Sequence, residues 1–459
     1  MTNAPSYPDE GFMPRVLRHS LDLLRLAWPV MLSRAGILLM AFADIAMLGR
    51  YGEGAVGVSN LGHAIFIPIL VISIGLVSGM VPVISQAFGA GNWQECGRAW
   101  RRAVSWAIFV SIIGTWVVWQ GETLLGFFGQ DQDIAEASGA VAQALAPGLV
   151  AQVMFACCAF YLEATRRPMV ALWAMLAANI LNVGLNWILI FGNLGFPELG
   201  AVGAAVASTI ARYAAMGIML WAVLSQLDPF AAGVRGPYET IWGPGGWRDG
   251  AMMRKLGFSA GLSNGFETVG FAAMSMLAGT ISVAALDAYS ISHNLVSTLF
   301  MVGLGLAVAT GVRVGQATGA GDPREAEFAG WTGFLVAFVI MGSLGLLVLV
   351  FRHEIAFAYT DDPDLAARAA LVFVISAFVF LPDSLQVVMG QAVRALGDAW
   401  VALGAYVISF VILMVPLGWW MTKSAGWDER GLILAVLISC VLATVLLAAR
   451  FRALTRARS

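Results

Sequence analysis

Three carboxylates sit inside stretches of chain that are otherwise almost wholly apolar. Asp44 lies in Ala41-Phe42-Ala43-Asp44-Ile45-Ala46, Glu267 in Asn264-Gly265-Phe266-Glu267-Thr268-Val269, and Asp383 in Phe380-Leu381-Pro382-Asp383-Ser384-Leu385. A charged side chain at the centre of a bilayer costs roughly 2.5–3.5 kcal/mol on insertion scales, and such residues usually face a water-filled cavity. Desolvation disfavours the ionised form of a carboxylate, so a buried acid trades its proton for Na⁺ or an organic cation near neutral pH. One set of acids serving two competing cations is the minimal chemistry of an antiporter. Pro382 adds to this by freeing the carbonyl four residues before it, and a freed carbonyl beside an acid is a candidate cation ligand. Plainer readings stand beside each: an interfacial acid for Asp44, an interhelical hydrogen bond for Glu267, and a kink that only shapes the bundle for Asp383.

Arg34, Arg212 and His293 also fall within apolar stretches. Arg34 precedes Asp44 by about 15 Å of helix, too far for direct pairing. It either snorkels toward the cytoplasm or meets an acid from another helix. His293, in Ser292-His293-Asn294, is a candidate proton relay, with a packing hydrogen bond as the plainer role. Phe42, Phe266, Phe271 and Tyr289 are candidate contacts for an aromatic substrate, though packing is the first reading for any ring in a span. Cys157, Cys158 and Cys440 fall within apolar stretches and Cys96 in a loop, with no CxxC, HExxH or paired His/Cys spacing. No dedicated metal site is expected. Asp361-Asp362-Pro363-Asp364 superficially resembles an Mg²⁺-binding cluster. It has no second copy and is better explained as the N-terminus of a helix, where the dipole favours Asp.

Composition shows what must position these groups. Hydrophobic residues make up 59% of the chain and charged residues 12%, against roughly 25% charged in a soluble domain. Twelve apolar stretches are each long enough to cross a bilayer. They lie near 26–48, 60–84, 103–120, 134–161, 168–191, 201–225, 254–279, 285–312, 329–351, 365–392, 399–420 and 431–449. Lipid offers backbone groups no partners, so these stretches are expected to be helices; the short alternating strands of a barrel are absent. Residues 1–24 are polar and have no apolar core of a signal peptide, so the first span is expected to act as its own insertion signal.

The chain also repeats itself. Ser85-Gln86-Ala87-Phe88-Gly89-Ala90-Gly91-Asn92 returns as Gly315-Gln316-Ala317-Thr318-Gly319-Ala320-Gly321-Asp322, half of the 459-residue length later. Self-similarity at a fixed period is a statement about architecture, and two homologous halves in a membrane chain are the mark of a transporter with its site near the midplane. Twelve spans divide into six and six, so the halves are parallel repeats. The predicted organisation is an N-terminal six-helix bundle over 1–225, a Gly- and Pro-rich cytoplasmic linker over 226–250 and a C-terminal six-helix bundle over 251–459. The Gly-Ala-Gly loops are assigned structure rather than chemistry, as turns whose glycines suit positive φ. Most of the 26 Lys and Arg residues fall on one side of the spans, whereas the other side keeps Arg50, Arg352, Arg368, Lys423 and Arg430. That bias predicts cytoplasmic termini. Net charge of -2 says little, because the charges sort by side, and nothing points to nucleic acid.

These residues resemble the MATE (multidrug and toxic compound extrusion) family. The duplicated Gln-Ala-x-Gly-Ala-Gly loops look like those after its second and eighth helices. Asp44 with Gly49 fits its first-helix acid motif. Leu381-Pro382-Asp383-Ser384-Leu385-Gln386, followed by Ala392-Val393-Arg394-Ala395-Leu396-Gly397-Asp398, resembles the tenth-helix signature of the NorM-type branch, and Glu267 matches that branch's seventh-helix acid. Ser292-His293-Asn294 resembles a His-Gln pair in helix 8, and Asn179 through Gly203 the fifth helix and its following loop. The likeness runs from about 26 to 450. It implies an all-α integral membrane protein of twelve transmembrane helices in two pseudo-symmetric six-helix bundles. It further implies export of small cationic, often aromatic, compounds in exchange for H⁺ or Na⁺. An antiporter of the inner membrane without cofactor is expected, acting as a monomer because two six-helix halves make a complete transport unit in one chain. Asp383 and Glu267 are the expected coupling site, with Na⁺ as one candidate ligand, and Asp44 would couple protonation to movement of the first helix. Other branches carry a fifth-helix acid four residues after an Asn; here the pattern is Asn182 and Asn186, both amides, which shifts the expected coupling toward the C-terminal bundle. Two rivals remain at this stage. One is a flippase for lipid-linked precursors, disfavoured because the spans hold few cationic residues. The other is a membrane prenyl-diphosphate transferase, which would need the Asp361–Asp364 acids.

Overall fold

The computed structural model describes residues 12–52, 54–127, 129–225, 233–236 and 246–458. It is helical throughout, with no strand among the described residues. In chain order the helices are α1 (Phe12–Tyr51), α2 (Ala55–Ser78), α3 (Met80–Gly89), α4 (Trp93–Trp119), α5 (Gly121–Phe127), α6 (Gln132–Ala164), α7 (Met169–Leu189), α8 (Gly200–Leu224), α9 (Gly246–Asp249), α10 (Ala251–Gly279), α11 (Val283–Gly319), α12 (Pro323–Val350), α13 (Arg352–Tyr359), α14 (Pro363–Ala395), α15 (Trp400–Tyr406), α16 (Val415–Lys423) and α17 (Asp428–Arg456). Residues Val407–Met414, between α15 and α16, form a π-helix.

Among the described residues, eleven helical segments are long and apolar enough to cross a membrane. The twelfth expected span, α10, has the length for it. Its middle carries Ser263, Asn264, Glu267 and Thr268, which dilute its hydropathy where the chemistry is expected. The helices outrun the apolar stretches. The first begins at Phe12 instead of near residue 26, because its polar end is held: Arg15 pairs with Glu325 at 2.9 Å and its guanidinium lies 4.5 Å from the Phe328 ring. Most of the expected linker, including Asp228-Pro229 and Gly243-Pro244-Gly245, lies outside the described residues.

Two compact units emerge. One holds residues 32–88 and 92–261, the other residues up to 31, 89–91 and 262–459. The same packing plan recurs inside each. In the first, α6 lies against α2, α4 and α8; in the second, α14 lies against α11, α12 and α17. The buried face of α6 is rich in Ala, Gly and Cys, and that of α14 in Ala and Val with Ser376, Ser384 and Gly390. Small residues let neighbouring backbones approach, which is how membrane helices gain packing energy where lipid is as apolar as the core.

The duplicated loops show why the repeat is strict. Gly91 and Gly321 have φ of 71° and 76°, a conformation that Gly adopts at no steric cost. The following amides reach back to close the helix, Asn92 N–H to the Ala87 carbonyl at 2.9 Å and Asp322 N–H to the Ala317 carbonyl at 3.1 Å. This is the six-to-one bond of a Schellman ending. Asn92 and Asp322 then cap the next helices, accepting from Glu95 N–H at 3.0 Å and Glu325 N–H at 2.9 Å. Each octet thus ends one helix and begins another. Asp322→Ala is expected to cost about 1 kcal/mol, measured as a lowered thermal midpoint, with faster amide exchange confined to the first turn of α12.

Candidate functional site

Asp44 is 2% exposed and both oxygens of its carboxylate are hydrogen-bonded. Oδ1 accepts from Asn182 Nδ2 at 3.1 Å and Asn186 Nδ2 at 2.7 Å, and Oδ2 accepts from Ser208 Oγ at 2.6 Å. The two amides are four residues apart on α7, so they stack on one helix face, and Asn186 Nδ2 also reaches Asn182 Oδ1 at 3.2 Å. Where a second acid would repel Asp44, Asn186 donates to it. Arg212, one turn beyond Ser208 on α8, lies over the Phe66 ring at 4.7 Å and within electrostatic reach of Asp44.

Arg34 finds its acid on another helix. Its Nη2 meets Glu163 Oε1 at 3.3 Å, and its guanidinium lies 5.4 Å from the Phe160 ring. Both charged residues are buried, Glu163 at 1% exposure. Sequence reading missed Glu163, which sits in the last turn of α6 just past the apolar stretch. Its only signal was an acid next to a long run of small and apolar residues.

In the other unit, α14 and α10 bring Glu267 and Asp383 to one amide. Gln386 Nε2 donates to Glu267 Oε1 at 3.0 Å and to Asp383 Oδ1 at 3.4 Å. Cys440 Sγ on α17 approaches Asp383 Oδ1 at 3.7 Å. Gln386 Oε1 and Ser384 Oγ are buried without a hydrogen-bond partner. Two carboxylates and an orphaned amide oxygen make an all-oxygen donor set, the kind that holds a proton or a hard cation. Helix α14 continues through Pro382, whose own carbonyl accepts from Thr444 Oγ1 at 2.9 Å. His293 stacks on Tyr289 with ring centroids 6.0 Å apart and lies 5.0 Å from the tilted Phe271 ring; no hydrogen bond joins it to either acid among the described residues. Asp362 caps α14, accepting from Asp364 N–H at 2.9 Å, so the Asp361–Asp364 run is a helix start.

The MatE family model matches residues 29–188 and 260–420 of this sequence. The chain belongs to the MatE family. A probable multidrug resistance protein NorM of Caulobacter vibrioides is 35% identical over 96% of this chain and 92% of its own. The multidrug resistance protein NorM of Vibrio vulnificus is 26% identical over 97% of each. The eukaryotic MATE transporter AtDTX14 shares the fold with a TM-score of 0.85 at 17% identity, over 97% of this chain and 100% of that one. An outward-facing multidrug resistance MATE family transporter of the MOP superfamily matches with a TM-score of 0.86 at 17% identity, over 98% and 99%. The chain is thus a multi-pass MATE protein of twelve transmembrane helices, a transporter and not an enzyme, and the prenyltransferase alternative falls away.

Proposed function

We propose that this MATE protein is a secondary antiporter of the cell inner membrane, exporting small cationic, aromatic compounds in exchange for H⁺ or Na⁺. The observation that carries this reading is the convergence of Glu267 and Asp383 on Gln386. Two acids on one amide form a site whose charge is balanced either by a bound cation or by a proton. The names of the NorM relatives supply the substrate class, multidrug compounds. Asp44 would couple protonation to movement of α1, with Asn182 and Asn186 as its hydrogen-bonding support. Bundles over 1–225 and 251–459 with a cytoplasmic strap over 226–250, cytoplasmic termini, a membrane-lipid environment and action as a monomer complete the reading. Binding of ethidium to the purified protein tests it. Raising H⁺ or Na⁺ is expected to lower the dye's apparent affinity by about tenfold, a coupling of the usual size. The effect should vanish in Glu267→Gln. Dye affinity indifferent to both cations would contradict the reading.

A further inference from the structure

Asp383, Gln386, Gly390 and Arg394 recur at spacings of three and four along α14 and share one face. Arg394 is 4% exposed. Its Nη2 donates to Ser263 Oγ at 3.0 Å, and Ser263 lies one turn from Glu267 on α10. The guanidinium stands 5.5 Å from the Tyr406 ring and within electrostatic reach of Glu267. Gly390 makes the room for this: a Cβ there would come 3.1 Å from Tyr406 Oη and 3.6 Å from Arg394 Nη1. The π-helix Val407–Met414 begins directly after Tyr406, and such departures from α-geometry often mark functional positions.

Among the described residues, the buried acids Glu163 and Glu429 and the half-buried Glu325 each have a guanidinium of their own. Glu163 meets Arg34 at 3.3 Å, Glu429 meets Arg368 at 3.1 Å and Glu325 meets Arg15 at 2.9 Å. Asp44 lies in the field of Arg212. Glu267 and Asp383 are different: among the described residues, two carboxylates share the guanidinium of Arg394. A buried ion without a counter-charge is strongly disfavoured. With both acids ionised, the trio carries one net negative charge, which one H⁺ or one Na⁺ cancels. A second cation would leave a buried positive excess.

We infer that Arg394 is a permanent internal cation of the coupling site, so that the site takes up a single monovalent cation per transport cycle. This rests on the antiport reading above. Asp44 then serves in coupling without carrying a proton of its own, and one cation entering for one monovalent organic cation leaving moves no net charge. Arg394 is a positioning residue, and its removal is expected to admit a second coupling cation and make exchange electrogenic. The neighbouring titratable side chains are Glu267, Asp383, Tyr406 and Cys440; none replaces the lost positive charge.

The test is ethidium exchange by protein in liposomes, driven by the coupling ion, with a potential set by K⁺ and valinomycin and protein-free vesicles as control. A roughly tenfold K⁺ gradient shifts the end-point of a process carrying one net charge roughly tenfold. The wild type and Arg394→Lys are expected to show no such shift. Arg394→Met is expected to show the full shift, with inside-negative potential favouring export. Voltage-dependent exchange in the wild type overturns the inference whatever the variants do, and so does voltage-independent exchange in a folded Arg394→Met. Should Arg394→Met fail to fold, Arg394→Gln takes its place, with the same shift expected and voltage-independent exchange again overturning the inference. Absence of dye movement under either ion gradient is a separate outcome that overturns the antiport reading and this inference with it.

Discussion

Asp383→Asn is expected to lower ion-driven efflux of a cationic dye from liposomes by about 10- to 100-fold, the range of a typical coupling free energy. The substitution is nearly isosteric and keeps an oxygen toward Gln386 Nε2 and Cys440 Sγ, which approach Asp383 Oδ1 at 3.4 Å and 3.7 Å. What it removes is charge. Once one carboxylate of the pair is neutral, Arg394 balances the other, and the site no longer needs a transported cation. The variant should therefore fold, as judged by a thermal midpoint within a few degrees of the wild type, and still bind dye, yet ignore the ion gradient. Ion-driven efflux at the wild-type rate would show that Asp383 is only a structural member of α14.

Breaking the Arg34–Glu163 pair is expected to give the largest loss of stability. Both side chains are buried, and removing one partner strands the other without water or counter-charge. Glu163→Leu should cost about 3–5 kcal/mol, visible as a strongly lowered thermal midpoint or loss of monodisperse protein. Replacing both ends, Arg34→Met with Glu163→Leu, should recover most of that loss, because two apolar side chains of similar volume leave nothing uncompensated. The Phe160 ring beside Arg34 gives the methionine an apolar neighbour. Equal stability of the single and double variants would contradict the pairing.

The spans and the duplication were legible because each is a local property. Hydropathy marks a lipid-facing helix, and the octets at 85 and 315 must both supply a positive-φ Gly and a capping side chain. The intramembrane acids were legible for the same reason, since an ionised residue among apolar neighbours is conspicuous wherever it points. Partnership was not legible. Arg34 and Glu163 are far apart in sequence, and only the packing of α1 on α6 joins them. Gln386 stood inside the Pro-Asp-Ser-Leu-Gln run that marked the site, yet its bridging amide depends on where α10 passes. Asn182 and Asn186 showed helical spacing, whereas their donation to Asp44 rather than to solvent or each other depends on α1 lying against α7. Short α5 and α13 were missed because seven or eight residues at the ends of spans carry too little periodicity to stand out.

The central claim is that export of an organic cation is driven by inward flow of H⁺ or Na⁺ through the Glu267–Asp383 site. The most direct measurement is simultaneous recording of ethidium and of H⁺ or Na⁺ in vesicles containing the purified protein, with one ion gradient imposed at a time. The account predicts that under one of the gradients dye moves uphill while the ion moves the opposite way, and that both movements disappear together in Glu267→Gln. Folded wild-type protein that moves no dye under either gradient, or that moves it downhill without ion flow in return, would contradict it.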